Sequence, residues 1–217
     1  MAAKLVQIIY KHEQKASCYP FAEIYFNDTL TVFFENEVIK NVVQSSEADK
    51  IAVCSWKLKS KMRYYIGRPR DLTIEVLETD YDVMSFTKNS TSHQMFAAAA
   101  AWHPGFMVIF DKILSAIGVT RPHEVKIPIY QNHFSCKRAI YQEYVNTYLI
   151  PAMEVIKNDA SINALAMANS KYSDLTNQSA AHLQEKLGIS FYPLVPFLLE
   201  RLFSVFVHNK KINVTYL

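Results

Sequence analysis

Leu5-Val-Gln-Ile-Ile-Tyr10 is a short apolar run rich in β-branched side chains, and it stops at the polar residues Lys11, His12 and Glu13. A run of this kind followed at once by polar residues is typical of a buried strand that leads into a loop. In an α/β sheet the loop after the first strand often holds the ligand. Lys11 and His12 are therefore candidates for ligand contact, although charged residues at a strand exit are also typical of a solvated loop.

An amphipathic helix and a second buried strand follow. In residues 31–43 the apolar side chains Phe34, Val38 and Val42 recur every fourth position, with charged residues between them. Ile51-Ala-Val-Cys-Ser-Trp56 is the next apolar run. Strand, helix and strand begin a parallel α/β arrangement. We therefore predict an α/β fold with a mostly parallel mixed sheet flanked by helices.

The length of 217 residues fits a single domain, residues 1–217, with a well-buried core. A net charge of +3, with Lys and Arg spread along the chain, does not favour a nucleic-acid partner. Three cysteines without a Cys-x-x-Cys pair predict neither a disulfide framework nor a zinc ribbon, so a reducing cytoplasm is the simplest location. No apolar run approaches the length of a membrane span.

The basic residues between 57 and 70 are the densest positive segment of the chain. They fit a solvated loop face, and they also fit a patch for phosphate groups or for an anionic membrane surface. A peripheral contact with the inner face of the membrane is therefore compatible with the cytoplasmic location.

Further strands and helices are predicted from period-two and helical spacing of apolar residues. Pro151 should kink or restart the helix that contains it. Residues 158–190 are the most polar part of the chain, and we expect a mobile or partly helical excursion there, with a short helix at 180–187 ended by Gly188. The predicted strands are 72–77, 82–86 and 125–130, and the other predicted helices are 94–101, 106–117, 141–155 and 197–206.

Asp80 and Asp82 lie between two predicted strands. With one residue between them in an extended segment, both carboxylates face the same way, which suits Mn²⁺ or Mg²⁺ carrying a diphosphate. Aspartates that only form a turn would give the same pattern. The polar stretch 88–93 follows and is typical of a ligand pocket.

Three other places carry polar groups with possible roles. His103 ends the alanine-rich helix and either contacts a ligand or bonds to backbone. Asn132 and His133 follow a predicted strand and could read sugar hydroxyls, since amide and imidazole groups both donate and accept hydrogen bonds; a plain turn is the alternative. Glu200 and Arg201 interrupt an apolar helix, so we expect them near the interior with partners.

Taken together these segments resemble the glycosyltransferase-like proteins of bacterial capsular and cell-wall polysaccharide clusters, which have a GT-A-type fold. The resemblance covers most of the chain. Its most specific parts are the Tyr-x-Asn-x-Phe segment at 130–134 and the closing Glu-Arg-Leu helix at 197–203. The segments that carry it are 55–57, 81–84, the helix ending in His103, 130–134 with Tyr144, and 197–203.

The resemblance implies transfer of a sugar from a nucleoside diphosphate donor to a hydroxyl of a growing glycan. The departing diphosphate would be stabilised by a metal ion on Asp80 and Asp82 or by Lys and Arg side chains. A base for the acceptor hydroxyl is also needed in an inverting enzyme. Its candidates are Asp82, His103 and Glu200, and the candidates for donor contact are Lys11, His12, Asn132, His133 and Arg201.

Two other functions fit the same residues. A non-catalytic relative would keep the fold and act as a binding or scaffold subunit of a glycan-assembly complex. A nuclease or hydrolase would use Asp80, Asp82 and a histidine, but the sequence offers no second cluster of metal ligands for it.

Overall fold

The computed structural model describes residues 2–66, 72–87, 95–125, 127–129, 131–172 and 176–217, and of residues 63–66 only the backbone. The described residues form one six-stranded sheet. Its strands are β1 (Ala3–Ile9), β2 (Glu23–Phe26), β3 (Lys50–Ser55), β4 (Val83–Ser85), β5 (Phe134–Lys137) and β6 (Val214–Tyr216).

The strand order is β2-β1-β3-β5-β4-β6. β1 pairs in parallel with β2 and β3, and β4 pairs in parallel with β6. β5 runs antiparallel to both of its neighbours, β3 and β4. The predicted α/β class with a mostly parallel mixed sheet is confirmed.

Helices cover both faces of this sheet. A turn of 3-10 helix, His12–Ser17, lies between β1 and β2, and a π-helical turn, Val145–Leu149, joins α6 to α7. The α-helices are α1 (Glu35–Ser45), α2 (Leu58–Ile66), α3 (Ile74–Glu78), α4 (Met95–Trp102), α5 (Phe106–Ala116), α6 (Arg138–Tyr144), α7 (Ile150–Asn158), α8 (Ala160–Ala166), α9 (Asn177–Leu187), α10 (Val195–Leu199) and α11 (Leu202–Lys210).

Successive side chains of a strand point to opposite faces of the sheet, so the apolar core forms two layers, one on each face. Val6 and Ile8 of β1 pack with α1 and with helices from the second half of the chain. Leu5 of β1 and Cys54 of β3 point the other way and pack with Leu58 of α2. Burial of each large aliphatic side chain contributes about 2 kcal/mol to stability. The sheet is therefore held by apolar layers on both faces, as its continuous apolar strands predict.

The chain changes direction at β1. From β1 the chain passes to β2, which lies beside β1 in the sheet. It then returns through α1 to β3, which lies on the opposite side of β1. Ligands of open α/β sheets bind outside the carboxyl ends of the strands at such a reversal. The crevice beside the ends of β1 and β3 is therefore the place in this fold where a ligand site is expected.

Two predicted strands are wrong. Residues 72–77 form the start of a helical segment, because the Thr73 hydroxyl accepts from the backbone N–H of Val76 at 3.4 Å and caps α3. The described part of 125–130 has no strand pairing. There the Ser204 hydroxyl bonds to both the N–H and the carbonyl of Ile129, each at 2.7 Å, and takes the place of a neighbouring strand.

The other predicted elements correspond to observed ones, with changes at two places. The helix predicted at 141–155 contains the π-helical turn Val145–Leu149, and Pro151 lies in the first turn of α7 directly after it. Gly188 ends α9 with a φ of 71°. The helix predicted at 197–206 is broken between α10 and α11, at Glu200 and Arg201. No helix in the ranges that the structure describes combines the length and apolar character needed to cross a bilayer.

Candidate active site

Three strand ends bring polar side chains to the crevice beside β1. Tyr10 follows β1, and Lys57 lies just beyond β3. Asn132 and His133 precede β5. Because β5 runs antiparallel to β3, the first residue of β5 lies at the end of the sheet where β1 and β3 finish. The Cys54 thiol donates to the Asn132 carbonyl at 3.2 Å, which fixes this turn against the end of β3.

Glu35 is the first residue of α1, which crosses the sheet next to this crevice. Phe34, just before it, has φ 51° and ψ −127°, a conformation that non-glycine residues avoid and that costs about 1–3 kcal/mol. The buried Phe34 ring packs against Tyr192 at a centroid distance of 5.7 Å. That packing holds the strained residue in place directly before Glu35.

The environment of Glu35 keeps its carboxyl neutral to higher pH than usual. Burial raises its pKa to about 7, and the nearby carboxyl of Glu200 raises it as well. Asn132, Lys57 and Tyr10 act in the other direction and lower this pKa, but by less. The side chain is partly buried, so protein surrounds most of it while one edge meets solvent. A carboxyl of this kind can gain or lose a proton near neutral pH.

Glu200 and Arg201 lie at the break between α10 and α11. Burial raises the pKa of Glu200, while Arg201 and Lys61 lower it. Arg201 is buried, donates to the Phe197 carbonyl at 2.6 Å, and lies over the Phe106 ring at 5.1 Å. The expectation of a position near the interior with partners is confirmed for Arg201, whereas Glu200 is partly buried.

Tyr10 contributes a hydroxyl that hydrogen-bonds to Glu35. Burial raises its pKa well above the usual value, and Glu35, Tyr192 and Glu200 raise it further, whereas the Asn27 amide lowers it. Asn27 reaches this place because its N–H donates to the carbonyl of Ile9 at 2.8 Å, at the end of β1. The phenol therefore stays protonated and can donate a hydrogen bond to a carboxylate or to a bound ligand.

A buried polar atom without a hydrogen-bond partner among the described residues lies next to Asn132. It is Nδ1 of His133, which is 3% exposed, whereas the side chain of Asn132, 4% exposed, hydrogen-bonds to Glu35. Burial lowers the pKa of His133 to about 3, with a further contribution from Lys61, so the imidazole is neutral. Leaving a buried polar atom unsatisfied costs about 1–3 kcal/mol, so this nitrogen is suited to a bound ligand or an ordered water.

The turn before His133 is itself strained. Gln131 and Asn132 both have positive φ, at 70° and 54°. Asn tolerates this left-handed conformation better than most residues, whereas Gln does not share that preference. Together with Phe34, the strained residues border the crevice from two sides, as strained backbone at functional sites commonly does.

Lys57 and Lys61 supply positive charge to the crevice from α2 and the residue before it. They are four residues apart, so they lie on one helix face. Lys57 lowers the pKa of Glu35, and Lys61 lowers that of Glu200, which places one ammonium group in the field of each carboxyl. The Lys57 ammonium also lies over the Trp56 ring, 5.5 Å from its centroid.

His103 is hydrogen-bonded to the backbone, which is one of the two roles predicted for it. Its Nδ1 is 2.9 Å from the Ser170 carbonyl, and its ring packs on Phe197 at 4.0 Å. Burial lowers its pKa, the Ser170 carbonyl raises it, and Arg201 lowers it again. The imidazole supports the Phe197 and Arg201 packing and is 3% exposed.

Lys11 and His12 lie at the start of the 3-10 turn that follows Tyr10. His12 is exposed and stacks on Phe26 at the outer strand β2, with ring centroids 4.5 Å apart. Lys11 is partly buried beside Tyr10. These two residues border the crevice on its β2 side.

Asp80 and Asp82 lie just before β4, at the opposite end of the sheet, where β1 and β3 begin. Their carboxylates lie 3.6 Å and 2.8 Å from Nζ of Lys137, the last residue of β5. Within the described ranges no three His, Cys, Asp or Glu side chains are grouped so that they could hold a metal ion. The stretch 88–93 and Tyr130 lie outside the described residues. Cation binding by Asp80 and Asp82 stays a prediction, at a place separate from the crevice.

A surface cavity of about 570 Å³ lies elsewhere, between α5 and α8. Its polar groups already have structural partners: Asp111 pairs with Arg121, and Asp159 caps α8. None of the residues around Glu35 lines it.

Sequence patterns indicated part of this site. Asn132, His133, Glu200 and Arg201 were candidates, and the structure places them around the crevice with Glu35 and Tyr10. Glu35 and Tyr10 were not candidates. The signals that could have indicated them are a carboxylate directly after two phenylalanines at a helix start, and a tyrosine ending the first strand.

Comparison of the chain with protein-family models, with curated proteins and with solved structures gives no match.

Proposed function

We propose that this protein transfers a sugar from a nucleoside diphosphate sugar to a hydroxyl of a glycan acceptor. The observation that carries the proposal is Glu35, the first residue of α1, whose carboxyl hydrogen-bonds to Asn132 and Tyr10 and lies in the field of Glu200, beside the strand where the strand order reverses. The resemblance to proteins of bacterial surface polysaccharide synthesis supports the choice of substrate. On this proposal the reaction takes place in the cytoplasm, at or near the inner face of the membrane.

Glu35 acts as the general base in this scheme. As the acceptor oxygen forms its bond to the anomeric carbon, its proton passes to Glu35. The bond from that carbon to the phosphate oxygen breaks, and its electron pair stays on the departing nucleoside diphosphate. A carboxyl whose pKa is about 7 accepts a proton effectively at neutral pH, and such a base contributes about 10²–10⁴ in rate.

The neighbours of Glu35 have supporting roles. Neutral His133 can hydrogen-bond to a sugar hydroxyl, because its buried Nδ1 has no protein partner among the described residues. The Asn132 side chain hydrogen-bonds to Glu35 and orients it. Glu200 shares the crevice with Glu35, and two adjacent carboxyls do not ionise independently. Glu200 therefore keeps Glu35 protonated to a higher pH, which makes it the tuning residue of the pair.

The test is ligand binding followed by turnover. The melting temperature is measured with a panel of nucleoside diphosphates and nucleotide sugars, with manganese or with EDTA, since a ligand of the native state must raise it. Release of nucleoside diphosphate is then measured with any sugar donor that binds, with nucleoside monophosphate as the non-donor control. A melting temperature that no member of the panel changes would overturn the proposal.

A non-catalytic glycan-assembly subunit is the second candidate. It is favoured by the pairing of Asp80 and Asp82 with Lys137, which leaves these carboxylates engaged with an ammonium group. A nucleotide sugar that binds but is neither hydrolysed nor transferred to any glycan acceptor would support this candidate over the transferase.

A further inference from the structure

We infer that a row of aromatic side chains beside Glu35 binds an uncharged sugar ring of the glycan acceptor. The aromatic row consists of Phe34, Tyr192, Tyr172 and Phe197. This inference rests on the proposed function and assigns the acceptor half of the site. The ligand class is a pyranoside without phosphate or other charged groups.

Ring contacts run along the whole aromatic row. Phe34 packs on Tyr192 with ring centroids 5.7 Å apart, and Tyr172 packs on Phe197 at 5.4 Å. Tyr192 meets Tyr172 at 5.3 Å, with an angle of 86° between the two ring planes. Phe34 is buried, whereas the other three residues are partly exposed. The two tyrosines therefore form a corner of nearly perpendicular rings that is partly open to solvent.

Both ends of the aromatic row lead to a carboxyl group. Glu35 directly follows Phe34, and Glu200 follows Phe197 after one turn, at the end of α10. Burial raises the pKa of Tyr192, a hydrogen bond to the Ser179 side chain lowers it, and the Glu35 carboxyl raises it again, so this carboxyl lies near the phenol. In the proposed reaction the acceptor gives its proton to Glu35. The acceptor therefore has to bind beside Glu35, where the aromatic row begins.

Hydrogen bonds and ring packing fix the aromatic row from behind. The Ser170 N–H donates to the carbonyl of Tyr192 at 3.0 Å, which pairs the two segments that carry the tyrosines. Arg201 donates to the Phe197 carbonyl at 2.6 Å, and the His103 ring lies 4.0 Å from the Phe197 ring. Side chains that are held in place before a ligand arrives reduce the entropy lost on binding.

The chemistry of this corner suits a sugar ring. A pyranose carries C–H groups on its faces and hydroxyls around its rim. Aromatic faces are partly negative and attract C–H hydrogens, while the rim hydroxyls can donate to carboxyl groups such as those of Glu35 and Glu200. A phosphate-bearing ligand would be repelled by these carboxylates. An apolar peptide would exclude water from them without offering a partner, which is costly.

Saturation-transfer NMR with the methyl pyranosides of glucose, galactose and N-acetylglucosamine tests the inference, with uridine as a nucleoside probe. We expect saturation to pass from the aromatic protons of the protein to the ring C–H protons of at least one pyranoside. Its dissociation constant should rise about 5-fold or more in Tyr172→Leu and in Tyr192→Leu. Tyr172→Phe keeps the ring and should stay within about twofold of wild type.

Tyr216→Leu is the matched control. Tyr216 is also partly exposed, but it lies on β6, the outermost strand at the other side of the sheet from β1. Its replacement should leave the dissociation constant within about twofold of wild type. Melting curves establish that each variant is folded, and if Tyr192→Leu does not fold, Tyr172→Leu alone decides.

Three results would overturn the inference: no pyranoside receives saturation, only uridine does, or Tyr216→Leu weakens pyranoside binding as much as the other leucine variants do. The outcome is separate from that of the proposed function. Pyranoside binding that depends on the two tyrosines, without binding of any nucleotide sugar, would support the sugar site and contradict the transferase. Sugar transfer to a glycan acceptor whose KM is unchanged in Tyr172→Leu would contradict the sugar site and leave the transferase standing.

Discussion

At Glu35 opposing effects act on a single carboxyl. The amino end of α1 favours its ionised form, and Lys57, Asn132 and Tyr10 do the same. Burial and the carboxyl of Glu200 favour the neutral form, and together they raise its pKa to about 7. Partial burial is what allows this balance, because a fully solvated carboxyl would keep its ordinary pKa and a fully enclosed one would not exchange protons with a substrate.

Removal of this carboxyl should slow turnover strongly while binding persists. For Glu35→Gln we expect the turnover number to fall about 10²- to 10⁴-fold, with donor affinity little changed, because the amide keeps the shape and cannot accept the proton. The wild-type rate should rise with pH and level off above about pH 7, whereas the residual rate of the variant should not follow that curve. Initial rates from pH 5 to 9 measure both.

Glu37→Gln is the control for this variant. Glu37 lies on the same helix, two residues further on, and pairs with Lys40 at the surface. It should keep the wild-type rate and pH profile. A Glu35→Gln protein that retains more than about half of the wild-type turnover would contradict the role assigned to Glu35.

Among the elements, the segment before β5 shows how a distant side chain replaces a strand partner. Ser204 on α11 is fully buried and bonds to the N–H and the carbonyl of Ile129. Replacement by alanine leaves both backbone groups unsatisfied in the core. Ser204→Ala should therefore lower the free energy of unfolding by about 2–4 kcal/mol.

Chemical denaturation measures this loss. Ser115→Ala is the control, because Ser115 is exposed on α5, and it should stay within about 0.5 kcal/mol of wild type. If Ser204→Ala is as stable as the control, the hydroxyl does not hold residues 127–129.

Asp80 and Asp82 lie at the end of the sheet where β1 and β3 begin, and Glu35 lies near the end where those strands finish. The Asp80→Asn Asp82→Asn double variant should therefore keep transfer activity within about threefold of wild type, with EDTA or with manganese present. Loss of more than about 100-fold would instead favour the metal role predicted from the Asp-x-Asp spacing. Nucleoside diphosphate release gives the rate, and Lys137→Gln serves as the control that removes the partner of both carboxylates.

Local patterns predicted β1, β3, β4 and the longer helices, because each has an apolar periodicity that suits only one structure. They failed at 72–77, where a short apolar run fits strand and helix equally, and the Thr73 cap decides between them. They failed again at 125–130, since the partner of Ile129 is 75 residues away. Glu35 was missed for the same reason: its proximity to Asn132 and Glu200 depends on the reversal of strand order and on no local pattern.

For the whole molecule, the site makes folding depend on pH in two opposite ways. His133 has a folded-state pKa of about 3, below its unfolded value of about 6.5, so stability is lost as pH falls below 6.5. Glu35 has a folded-state pKa of about 7, above its unfolded value of about 4.3. Between those two values the folded state holds one more proton than the unfolded chain, so stability is lost as pH rises.

The contribution of Glu35 can be isolated as a difference between two proteins. We expect Glu35→Gln and wild type to differ least near pH 4, with the variant gaining stability over wild type as pH rises to about 7 and the gain constant above that. His133 and the other titrating groups largely cancel in this difference, because both proteins retain them. Urea unfolding at half-unit steps from pH 4 to 8.5 gives the curve, with Glu37→Gln expected to show no such gain. A Glu35→Gln curve parallel to that of wild type at every pH would mean that Glu35 ionises in the folded protein as it does in the unfolded chain, and the crevice would then lack the base with a raised pKa on which the proposed chemistry depends.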